Sequence, residues 1–67
     1  MTEQLWMTLW DAAMQNDKAN CVMLEAEGMA IKAKANGYSA HAQCLAKVLS
    51  KYDAATRAYF ASHGFSA

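Results

Sequence analysis

Residues 36–63 read Asn36-Gly37-Tyr38-Ser39 followed by AHAQCLAKVLSKYDAATRAYFASH, and this stretch decides how the chain is expected to fold. Gly37 can take the left-handed conformation that ends one helix, and Ser39 can cap the start of the next. Beyond the turn, His41, Leu45, Val48, Leu49, Tyr52, Thr56, Tyr59, Phe60 and His63 recur at spacings of three and four, while Lys47, Ser50, Lys51, Ala54 and Arg57 take the other side. That periodicity predicts an amphipathic helix over about 40–63. Gly64 stops it, with Phe65 placed to fold back as the apolar contact of the helix C-terminus.

Working upstream, Thr2 can cap a first helix whose opening turn holds Glu3. Trp6, Trp10, Ala13, Leu24, Ile31 and Ala35 follow a helical stripe, interrupted by the polar run Gln15-Asn16-Asp17-Lys18-Ala19-Asn20. No proline or glycine stands there, so one long helix over about 3–36 is the preferred reading. A break near 15–20, giving a three-helix bundle, is the alternative. Gly28 within the long helix is expected to allow close approach of another helix.

Composition agrees with an all-α fold. The 67 residues contain no proline and three glycines, and the strong helix formers Ala, Leu, Met, Gln, Glu and Lys recur throughout. β-Branched residues are sparse and never alternate with polar ones, so no strand is expected. The chain is read as a single helical domain, residues 1–67.

Charge adds a register. Residues 1–30 carry Glu3, Asp11, Asp17, Glu25 and Glu27 against Lys18, and residues 31–67 carry Lys32, Lys34, Lys47, Lys51 and Arg57 against Asp53. In an antiparallel hairpin, facing residues have numbers adding to about 75, which pairs Asp17 with Arg57, Glu27 with Lys47 and Glu25 with Lys51. Leu24 then meets Tyr52, and Ile31 meets Cys44. Such exposed pairs set orientation more than stability. Glu25 and Glu27 project far apart, so only one of their two pairs is expected to close.

The predicted arms differ in length. A helix over 3–36 is about 51 Å long and one over 40–63 about 36 Å, leaving Leu5, Trp6, Met7, Leu9 and Trp10 overhanging, with Met14 a turn further on. These six cover nearly the whole helix circumference and need cover from more than one side. With 55% of residues hydrophobic and 18% charged, a chain this short has more apolar surface than it can hide alone. Dimerisation into a four-helix bundle is therefore expected, with these six residues as the partner interface. The architecture is similar in shape to small plasmid-borne helical hairpins that dimerise in this way, and the small size of the chain leads us to expect an accessory role on a phage or plasmid.

Chemistry is not expected. His41 and Cys44 share a helix face, but in the hairpin register Cys21 lies about 15 Å away along the axis, too far for a shared ion or a disulfide; both cysteines are read as buried and structural. His63 is read as a helix C-terminal cap, and Tyr52 and Tyr59 as core or interface. No nucleophile with its base, no paired carboxylates and no phosphate loop can be assembled, and a two-helix chain lacks the roughly 300 Å³ that a substrate site needs. No cofactor or metal is expected. The start Met1-Thr2-Glu3-Gln4 lacks a secretory signal and no long apolar run exists, so a cytoplasmic chain with no membrane contact is expected. The expected function is a non-catalytic protein interaction module, a homodimeric regulatory or inhibitory adaptor. The alternative is a dimer that binds RNA or DNA through Lys47, Lys51 and Arg57.

Overall fold

A computed structural model describes residues 1–66. Four helices follow one another: α1 (Glu3–Ala13), α2 (Asp17–Lys32), α3 (Ser39–Leu49) and α4 (Ala54–Ser62). No strand occurs among the described residues. Both long helices of the expected hairpin are broken once. The Cα trace spans 29 × 23 × 19 Å, which could not hold a 51 Å rod.

The breaks are made by side chains that out-compete the helix for backbone donors. Asn16 leaves the helical region (φ −144°, ψ 115°), and its side chain accepts from the Ala19 amide at 3.1 Å. Asp53 does the same at the head of α4, accepting from the Thr56 amide at 2.9 Å and the Thr56 hydroxyl at 2.6 Å. Such caps satisfy amides that would otherwise have no acceptor. The preference for an unbroken helix over 15–20 fails for this reason: a short polar side chain can end a helix with no proline or glycine present.

Other local signals hold. Thr2 caps α1 through the Leu5 amide at 3.1 Å. Gly37 has φ 78° and Gly64 φ 102°. At the end of α4 the Gly64 amide donates to the Ala61 carbonyl and the Phe65 amide to the Phe60 carbonyl, the paired bonds of a Schellman motif, and Phe65 is buried. Ser39, expected as the cap of α3, is instead its first residue; Tyr38 occupies the cap position without a side-chain cap bond. The helix expected to reach residue 36 ends at Lys32 in the same motif as α4, with Lys34 donating to Ile31 and Ala35 to Ala30. Here the left-handed residue is Lys34, at φ 52°.

The core draws on every helix: Trp6, Leu9 and Ala13 from α1, Ala19, Val22, Met23, Ala26 and Ala30 from α2, Leu45, Val48 and Leu49 from α3, and Phe60 from α4. Alanines dominate where α2 meets its neighbours and let backbones approach; Leu9, Met23, Leu45 and Phe60 fill the space between. The largest helix contact is α2 with α3, locked outside by Lys51 Nζ to Glu25 Oε1 at 2.6 Å, the one anticipated ion pair that forms. The Asp17–Arg57 and Glu27–Lys47 pairs are not among the ion pairs of the described residues, and Glu27 meets His41 instead, Oε2 to Nε2 3.3 Å. Lys18 and Asp53 pair at 2.8 Å, and the Tyr59 hydroxyl donates to the Ala12 carbonyl at 2.9 Å. The break after α1 and the break before α4 therefore adjoin.

Two outcomes follow. Lys34→Gly should raise the melting temperature, because a left-handed Lys costs about 1 kcal/mol or more, worth several degrees in a domain this small; an unchanged or lower value in a calorimetric scan would contradict the motif. Lys18 and then the two Thr56 donors hold the Asp53 carboxyl well below the usual carboxylate range. A depressed folded value contributes stability above the unfolded pKa near 3.9 and loses it as pH falls. Asp53→Asn, which retains a capping side chain, should therefore show a flatter fall of melting temperature between about pH 5 and pH 2 than the unsubstituted chain, as followed by calorimetry.

Candidate interaction surface on the second helix

The six residues expected to overhang have separate fates. Trp6 is 6% exposed and Leu9 is fully buried, so both belong to the chain's own core. Leu5 and Trp10 are half-buried against that core. Met7 and Met14 alone remain exposed, at 58% and 68%. The overhang disappears because the break at 14–16 turns α1 back onto the bundle.

Trp6 also helps to enclose His41. Its ring meets the imidazole edge-on at 4.8 Å, and Tyr38 lies 4.8 Å from the other side. The Tyr38 hydroxyl donates to Glu3 at 3.4 Å. Thus α1, α2 and α3 meet around one imidazole, a junction that helical spacing within α3 could not reveal since Glu27 is 14 positions away. His63 lies at the end of α4 with Nδ1 2.8 Å from the Tyr59 carbonyl, a capping geometry. Cys44 is half-buried, whereas Cys21 is exposed, correcting the expectation that both are buried. Tyr52 and Tyr59 are half-buried.

The three cations of the expected basic face do not share one helix: Lys47 lies on α3 and Arg57 on α4. Lys51 is held by Glu25, and the Arg57 guanidinium donates to the Tyr52 carbonyl. Lys47 has no ion-pair partner among the described residues.

A different surface stands out. Cys21, Leu24, Gly28 and Ile31 are all exposed on α2, at helical spacings that put them on one side. Leu24 is 55% and Ile31 66% exposed. Both were expected to face the second arm of the hairpin, meeting Tyr52 and Cys44, yet they point away from it. The stripe that joined them to Trp6 and Trp10 assumed one continuous helix, and the non-helical residues 14–16 reset its phase. Nor is Gly28 a point of close packing inside the chain: a β-carbon built there meets nothing within 4 Å. It is an interior helical glycine whose space the fold does not use.

The four-helix arrangement also creates concavities that a hairpin would lack. One of about 310 Å³ is lined by Leu49, Arg57, Ala58, Ala61, Phe65 and Ser66. Another, of about 170 Å³, lies where the two helix breaks adjoin, between Lys18, Asp53 and Tyr59. The smaller one is also lined by Thr56, and in it the Asp53 carboxylate is held by both the Lys18 ammonium and the Thr56 hydroxyl. Among the described residues no three His, Cys, Asp or Glu side chains come together as a metal site would require, and no helix is long and apolar enough to cross a membrane.

The contrast between α1 and α2 is measurable. Trp6→Ala should cost about 3 to 5 kcal/mol, whereas Leu24→Ala should stay within about 0.5 kcal/mol when both are unfolded by urea at low protein concentration. Comparison with protein-family models, curated proteins and solved structures finds no match to this chain.

Proposed function

We propose that this chain is a non-catalytic protein interaction module, a regulatory or inhibitory adaptor, that holds another protein on the outward face of α2. The observation that carries this reading is the exposed apolar stripe of Leu24 and Ile31 on either side of the unfilled space at Gly28. Glycine inside a helix costs about 1 kcal/mol relative to alanine, a cost the isolated fold does not offset by close packing. Leu24 and Ile31 likewise add little to the core, yet full burial against a partner would contribute about 1.5 to 3 kcal/mol each. A helix presenting apolar anchors at i, i+4 and i+7 is a recurrent mode of helix recognition.

Nucleic-acid binding through Lys47, Lys51 and Arg57 is the weaker reading. Two of those cations hold partners within the chain, and the net charge is zero, so there is little to release counterions from a phosphate backbone.

A photoreactive phenylalanine derivative placed in turn at positions 24, 31, 43 and 47 of the full chain tests both in cells. Protein adducts of discrete mass are expected from 24 and 31 and not from the exposed control Gln43. Absence of adducts at 24 and 31 overturns the reading, and RNA or DNA adducts from 47 would favour the other.

A further inference from the structure

We infer that the occupant of the α2 face is a second copy of the same helix, running antiparallel, so that each Leu24 enters the space over the partner copy's glycine at position 28. The inference rests on the interaction-module reading above and names its partner. Three features of α2 converge on it.

First, the stripe suits its own reverse. Pairing positions whose numbers add to about 52 sets residue 24 over residue 28 and residue 21 over residue 31, and the two-fold axis then repeats both contacts. A bulky side chain meets an absent one twice, which lets the helix axes approach as two leucine-bearing faces could not.

Second, the ends of α2 carry opposite charges that are in no ion pair among the described residues. Asp17 stands at its start and Lys32 and Lys34 at its end. Antiparallel pairing brings Asp17 of each copy within a lysine's reach of residues 32 and 34 of the other, at both ends of the interface. Parallel pairing would instead set like against like, a costly arrangement. The nearby charges that are already engaged, Lys18 with Asp53 and Glu25 with Lys51, lie beside the stripe and leave it uncrossed.

Third, the face is one helix wide, which places the pairing at the weak end. A single helix on each side buries less than the roughly 1,600 Å² of a standard interface, so the pairing belongs in the micromolar range and is reversible.

The test uses the purified full chain. Sedimentation and light scattering from about 5 to 500 μM, spanning the expected micromolar constant, should show monomer passing to dimer. Gly28→Gln should weaken the dimer at least tenfold while raising the monomer's melting temperature, since Gln is the better helix former and a β-carbon there meets nothing within 4 Å; opposite signs exclude misfolding as the cause. Asp17→Lys should weaken association, and combining it with Lys32→Glu and Lys34→Glu should restore it. Ile31→Cys in a Cys44→Ala background should form a covalent dimer through Cys21 under mild oxidation. Within one chain, positions 21 and 31 are about 15 Å apart along the helix and cannot bridge.

A monomer throughout the concentration range, or a dimer indifferent to Gly28→Gln and the charge exchange, overturns the pairing. In that event the broader reading still stands if adducts from positions 24 and 31 in cells have masses other than twice the chain, and falls with it if there are none.

Discussion

Two short polar side chains, Asn16 and Asp53, determine the shape of this protein by taking backbone amides away from a helix that would otherwise run on. Each accepts from the amide three residues ahead, and each thereby fixes a corner. Because Lys18, two residues past the first corner, reaches Asp53 at the second, the corners are also bound to each other. Remove the corners and α1 would project away from the bundle, leaving Trp6 and Leu9 in water. With them, α1 folds against α2, and two of the largest apolar side chains near the amino end enter the core.

How much of this could be read beforehand follows from the range of each interaction. The cap at Thr2, the left-handed Gly37 and the Gly64-Phe65 stop are decided within five or six residues, and all were legible. So was the Glu25–Lys51 contact, since the turn between α2 and α3 fixes which residues lie across from each other. Asn16 and Asp53 were equally local signals, but each competes with a helical continuation whose residues also favour helix, and propensity alone does not rank a cap against another turn. Once that choice is missed, every later phase is wrong. Leu24 and Ile31 are then assigned to the inner side, and Trp6 and Leu9 to an overhang.

The exposed apolar face of α2 was illegible for the same reason. Helix α2 is apolar on two sides, with Val22, Met23 and Ala26 on one and Cys21, Leu24 and Ile31 on the other. Only the position of α3 tells which is inside. The small residues of the inner side favour close helix packing, and the larger ones left outside explain how so apolar a chain can complete a core of its own and still present a greasy surface. The exposed large apolar residues are divided between α2, with Leu24 and Ile31, and the α1 segment, with Met7 and Met14.

The turn at Gly64 has an implication for how the bundle comes apart. A β-carbon there would lie 3.3 Å from Leu5 Cδ1, so the opening turn of α1 rests against the closing turn of α4. With Tyr59 bonded to Ala12 near the opposite end of α1, the first and last helices touch near both ends of α1. Helix α2 is the hub of the bundle, since its packing against α1, α3 and α4 makes the main contacts between helices. An opening of α2 therefore strips the other three helices of their principal support at once.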